Sequence, residues 1–304
     1  MSDYKPYVCM QTNSKCYKNT RQMEVKGVLW HSTGANNPWL WRYVQPTDGS
    51  PNYDEDIKKI GKNSYGTDWN HQQVDAGLNA WIGKFDDGTV GTVQSMPWDF
   101  RPWGCASGVN GSCNNGYIQF EICEDSLDNK AYAERVFEEA CQLTAYLCRI
   151  FKLDPNGYSI IGGVSVPVIT CHNDAAKLGL ASDHVDINHW FPKILGKDMA
   201  DARKRVKEIM FGFGNKDYEE YAEKLPSRGY FLKGDGYKAY KDFKPQIKEI
   251  QCFLNWALGL NMSISGKYGD ATANAVAQFQ KVAGLKQDGS WGKDTLARAK
   301  TFAK

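Results

Sequence analysis

With 304 residues, 42% of them hydrophobic and 24% charged, the chain has the length for one large domain or two unequal ones, and its composition excludes extended disorder. Its 37 basic residues nearly cancel its 35 acidic ones, leaving a formal charge of +2, so no polyanionic partner such as nucleic acid is expected. No run of apolar residues is long enough to span a bilayer, so no membrane insertion is expected, and the opening MSDYKPYVCMQTNSKCYKN lacks the apolar core of a signal peptide, which predicts synthesis in a cytoplasm. The nine cysteines are an odd number without paired or CxxC spacing. They read as thiols made in a reducing compartment, with Cys141 and Cys148 packed on one helix face.

In chain order, residues 25–30 (VKGVLW) form a short apolar run ending at polar His31-Ser32-Thr33-Gly34, the pattern of a buried strand delivering a residue to its C-terminal edge. Residues 78–93 (LNAWIGKFDDGTVGTV) predict a hairpin around Asp87-Gly88, and residues 117–123 (YIQFEIC) predict a strand. A long amphipathic helix is expected over about 129–151, a further strand over 166–170 (VPVIT) ending at Cys171-His172, and a helix over 198–210. Strands followed by helices in this order imply an α/β fold with a mixed central sheet flanked by helices. Residues 212–244, rich in Gly, Lys and Tyr, read as a linker and lead-in. Residues 245–304 read as a small all-α three-helix domain, and no internal repeat is evident.

The residues able to carry chemistry are few. Of five histidines, His31 and His172 end predicted strands and His184 lies in a polar cluster. Imidazole is the commonest zinc ligand, and catalytic zinc takes three protein ligands, leaving a fourth position open. Glu121 stands in an otherwise apolar strand, an odd place for a carboxylate unless it faces a cleft. His71 and His189 read as structural. Cys105, in Trp103-Gly104-Cys105-Ala106, has no partner that would make it a nucleophile.

Three stretches, Trp30-His31-Ser32-Thr33-Gly34, Tyr117-Ile118-Gln119-Phe120-Glu121 and Ile169-Thr170-Cys171-His172, resemble the hallmarks of the type 2 N-acetylmuramoyl-L-alanine amidases. That family includes amidase-class phage lysozymes and peptidoglycan recognition proteins, and the likeness covers about residues 24–210. The resemblance implies zinc (Zn2+) held by His31 and His172, with a third ligand, Cys or Asp, shortly downstream. Here SDHVDINHWFP replaces the usual Lys-x-Asp-Pro or Lys-x-Cys-Pro. Asp186, preceded at two positions by His184, is chosen as that ligand, and Asp183 and His184 remain competitors. By the same resemblance Glu121 would be the general base and His184 the group that stabilises the oxyanion. Relatives often carry Trp-His-x-Gly where this chain has Trp103-Gly104-Cys105-Ala106, so that cleft wall has lost a histidine.

Farther on, Gln251-x-x-Leu254, Gly266-Lys267-Tyr268-Gly269, Ala275-Val276-x-x-Phe279-Gln280 and Asp288-Gly289-x-x-Gly292 resemble the type 1 peptidoglycan-binding domain, with Leu254, Val276 and Phe279 in its core. Together the two resemblances imply a zinc amidase domain (1–211) and a wall-binding domain (245–304) in one enzyme. It would act on bacterial cell-wall peptidoglycan as a phage or prophage endolysin does, made in the bacterial host cytoplasm and acting on the wall after release. The alternatives are a non-catalytic peptidoglycan recognition protein and a metallo-endopeptidase cutting within the stem peptide.

Overall fold

The computed structural model describes residues 4–211, 224–260 and 262–302, so part of the expected linker, 212–223, lies outside the described residues. Backbone contacts divide the chain after Val206 into a larger unit, Ser2–Val206, and a smaller one from Lys207 to Lys304.

The larger unit holds strands β1 (Tyr7–Val8), β2 (Gly27–Ser32), β3 (Ala80–Lys84), β4 (Val90–Gln94), β5 (Tyr117–Ile122), β6 (Tyr158–Ile161), β7 (Val164–Pro167) and β8 (Ile169–Cys171). Its helices are α1 (Lys15–Asn19), α2 (Tyr53–Ile60), α3 (Lys130–Phe151), α4 (His172–Lys177), α5 (Phe191–Leu195) and the first part of α6 (Met199–Phe211). Six strands form one sheet in the order β1-β4-β3-β5-β2-β8, parallel throughout except for the β3–β4 hairpin. The fold is thus the mixed α/β sheet that the sequence predicts. All six residues of the central strand β2 are buried, as a strand covered on both faces requires, and this is why its sequence reads as a run rather than an alternation. Helix α3 lies against the sheet: the Trp30 indole N–H donates to Thr144 Oγ1 at 2.9 Å, and the rings of Trp30 and Phe137 meet edge to face at 6.0 Å. The helix begins where Asn129 accepts the Tyr132 N–H at 3.1 Å, a side-chain cap for an orphan donor.

One predicted strand is two. Residues 166–170 are divided at Pro167, so that β7 pairs antiparallel with β6 outside the main sheet and only Ile169–Cys171 joins β2. Proline has no N–H to give to a ladder, and the chain changes partner where that donor is missing.

The smaller unit packs α7 (Lys244–Leu258), α8 (Asp270–Val282) and α9 (Lys293–Phe302) around Ile250, Phe253, Leu254, Tyr268, Val276, Phe279 and Trp291. Phe231, from the segment expected to be lead-in, is buried in this core, and its backbone exchanges hydrogen bonds of 3.0 and 2.9 Å with Trp291.

The binding domain is present once, but two of its glutamines are used in the same way. Gln251 is followed by Ser265-Gly266-Lys267-Tyr268-Gly269 and Thr272, and Gln280 by Asp288-Gly289-Ser290-Trp291-Gly292 and Thr295. In each half the glutamine Oε1 accepts the first glycine's N–H at 2.9 Å, while Nε2 donates into the same turn and lies 2.9–3.1 Å from the threonine hydroxyl. Gly266 and Gly289 share φ near +70°, where other side chains are strained. The glutamine-to-turn separations are unequal, so this likeness has no fixed period.

Candidate metal centre and cleft

Parallel pairing puts the chemistry at one level of the sheet. His31 on β2 is register partner of Glu121 on β5, and Trp30 of Cys171 on β8, so that His31, Glu121 and His172 emerge together at the C-terminal edge, where ligands of open α/β sheets bind. From the other side comes the turn Asp186–His189. Asp186 holds φ at +39°, a left-handed conformation costly for a residue with a Cβ and sustained only where the surroundings impose it.

His31 Nδ1, His172 Nδ1 and Asp186 Oδ2 converge, separated pairwise by 3.1, 3.2 and 3.0 Å, and all three residues are buried. A tetrahedral ion bound at about 2.0–2.1 Å needs its donors about 3.3 Å apart, so two imidazole nitrogens and one carboxylate oxygen fit a small divalent cation of that geometry. Burial opposes charge on Asp186, but the imidazoles of His172 and His31 beside it outweigh burial and hold the carboxyl below the usual range. It therefore stays an anion, the form in which a carboxylate binds a metal.

Of the competitors for the third position, Asp183 is exposed and outside the cluster. His184 is also exposed. Its ring stacks on that of His172 at 4.7 Å, and Ser182 Oγ lies 3.2 Å from both His184 Nδ1 and His172 Nε2. Glu121 lines the cleft with these residues, and burial, then the charges of Asp186 and Glu124, push its carboxyl well above the ordinary range. The cleft is walled further by Trp69, Trp103 and Arg101.

Residues 21–188 match the N-acetylmuramoyl-L-alanine amidase family, and residues 244–298 a peptidoglycan binding domain family. The chain belongs to the N-acetylmuramoyl-L-alanine amidase family. It is 52% identical over 44 residues to N-acetylmuramoyl-L-alanine amidase CwlL of Bacillus licheniformis, an alignment covering 14% of this chain and 12% of that protein. Among solved structures it is similar to Staphylococcus aureus hydrolase AmiA in complex with its ligand, at 17% identity over 69% of this chain and 81% of that one, with a TM-score of 0.40. PlyL is similar at 15% identity over 67% and 97%, with a TM-score of 0.41.

Within this amidase-family domain, sequence reasoning passed over two residues in or beside the cleft. His189, read as structural, lines the cleft, and its Nε2 lies 3.2 Å from Glu124 Oε1. Gln119, fully buried, brings Oε1 to 2.8 Å from His31 Nε2. It sits two residues before Glu121 and so on the same strand face, a signal that YIQFEIC carried. His71 lies apart from the cluster, its Nδ1 2.8 Å from Asp68. The Cys105 thiol is buried against Asn114 and Ser112, and burial raises its pKa, which removes the thiolate that a nucleophile would need.

Proposed function

We propose that the chain is a zinc-dependent N-acetylmuramoyl-L-alanine amidase that hydrolyses the amide between the lactyl group of N-acetylmuramic acid and L-alanine of the stem peptide. The reading is carried by one observation: His31, His172 and Asp186 present three donors at tetrahedral spacing, with Glu121 beside them in an open cleft, in a chain of the amidase family. Bound there, zinc would polarise the scissile carbonyl and acidify water near it.

The protein's own groups do the rest. Glu121, held in a site that disfavours its charge, is suited to take a proton from the attacking water and return it to the leaving amine, so that the C–N bond breaks to a carboxylate and a free L-alanine amino terminus. His184, at the exposed rim, donates a hydrogen bond to the oxygen on which charge develops. Trp69 and Trp103 offer flat apolar faces to sugar or peptide. The small domain, matched to a peptidoglycan binding family, tethers the catalyst to an insoluble substrate and raises its effective concentration there. The pairing of the two modules supports a lytic role, that of a phage or prophage endolysin.

The test is bound zinc together with release of new L-alanine amino termini from purified walls. Glu121→Gln is expected to lower kcat by about 10²–10⁴-fold with zinc content and wall binding unchanged. Zinc-loaded protein that binds walls and frees no amino termini would replace this reading with a non-catalytic recognition protein. Amino termini other than those of L-alanine would replace it with an endopeptidase.

A further inference from the structure

An unbroken hydrogen-bond chain runs from the backbone of the cleft wall to the metal cluster. It begins at Asn114, whose Oδ1 accepts the N–H groups of Gly104 and Cys105, both at 3.2 Å. Backbone N–H groups can only donate, so the atom facing them is the amide oxygen, and Asn114 Nδ2 correspondingly faces the carbonyl of Ala106 at 3.3 Å. The same Oδ1 lies 2.9 Å from the Gln119 side-chain amide, which must therefore present its NH2 there and turn Oε1 toward His31. Oε1 is 2.8 Å from His31 Nε2. A carbonyl oxygen only accepts, so Nε2 carries the ring proton and Nδ1 is left as a bare lone pair aimed at His172 Nδ1 and Asp186 Oδ2.

We infer that Gln119 is a positioning residue for the metal cluster, fixing His31 as the Nε2–H tautomer so that Nδ1 is free to bind. A neutral imidazole in water divides its proton between two nitrogens, and the hydrogen bond at one nitrogen decides which is available at the other. Gly104 belongs to the same device. A Cβ there would stand 2.3 Å from Gln119 Oε1, 2.6 Å from Leu78 Cδ2 and 3.3 Å from His31 Nε2. The glycine is not held at positive φ, so the backbone itself would admit alanine; what forbids a side chain is the space that Gln119 and Leu78 occupy. The vacancy in the wall at Trp103-Gly104-Cys105 is thus filled from the next strand by an amide aimed at a ligand.

The inference rests on the reading of this cluster as a zinc site, and its test is split so that the two can fail separately. In zinc-free full-length protein labelled with 15N, long-range proton–nitrogen correlation reads the His31 tautomer directly. Nε2–H is expected, and Nδ1–H in the wild type would overturn the inference whether or not zinc binds. Zinc affinity by chelator competition is then read in two variants that disturb Oε1 from opposite sides. Gln119→Leu removes it and Gly104→Ala displaces it; each is expected to weaken zinc by about 10–100-fold and to mix the His31 tautomers. Because either variant alone could perturb folding, the decisive comparison is the double variant. With Gln119→Ala in place a Cβ at 104 no longer meets the amide, and what it still crowds is chiefly the end of the Leu78 side chain, so adding Gly104→Ala is expected to cost less than twofold more. Affinity within twofold of wild type in Gln119→Leu, or losses that simply multiply in the double variant, would overturn it.

Discussion

Three fully buried glutamines, Gln119 in the larger unit and Gln251 and Gln280 in the smaller one, make a controlled comparison, since the side chain is the same and only the partners differ. Gln251 and Gln280 spend both ends of the amide on their own turns, Oε1 on the N–H of Gly266 or Gly289 and Nε2 on the carbonyl of Lys267 or Ser290. Gln119 spends one end on Asn114 and the other on a histidine that faces two further metal-type donors. Every buried amide must be satisfied, because an unpaired one costs about 1–3 kcal/mol. Satisfaction alone is therefore uninformative, and the partner tells a folding group from a site group: the glutamine's own turn and the helix after it in the small domain, a histidine ring facing metal-type donors in the large one.

The sharpest test of this division removes a donor. Asp186→Ala is expected to abolish zinc binding and hydrolysis while wall binding stays within about twofold, the tether being another module, and Asp183→Ala is expected to do neither. Zinc content and turbidity loss measure both, and equal effects of the two would put the third ligand elsewhere in the loop.

Gln280→Leu should do the reverse. It strands the Gly289 N–H and the partners of Nε2, so denaturant unfolding of the small domain is expected to lose about 1–3 kcal/mol and wall binding to weaken, with zinc affinity unchanged. A zinc effect from Gln280→Leu would break the comparison.

The smallest effect belongs to a surface pair serving neither role. Arg205 grips Glu138 through Nε and Nη2 at 2.8 Å, and that hydrogen bond holds the Glu138 carboxyl below its ordinary value of 4.5. A depressed carboxyl contributes stability above its unfolded pKa and loses it as pH falls through the folded one. Arg205→Ala is therefore expected to cost at most about 0.5 kcal/mol at neutral pH, both side chains being some two-fifths exposed, and progressively less as acid protonates Glu138.

Much of this was legible in the chain of letters. His31 and His172 could be picked out because each ends an apolar run short enough to be a buried strand, and Glu121 because a carboxylate breaks an apolar alternation. The helix over 130–151 and the three helices of the small domain declared themselves by period. The division of 166–170 was hinted at only by Pro167, whose missing donor matters once the neighbouring strands are known.

What the sequence determined by itself was therefore local: which segments are strands or helices, and which of them end in a group able to bind a metal. Only the tertiary structure brought Asp186, rather than Asp183, beside His31 and His172, because a short polar loop gives no period from which its inward-facing side chain could be read. Only the tertiary structure, likewise, brought Gln119, Asn114 and Gly104 together. Hydrogen-bond direction and steric space are properties of neighbours in three dimensions, and these three residues become neighbours only when a cleft-wall loop folds against a central strand.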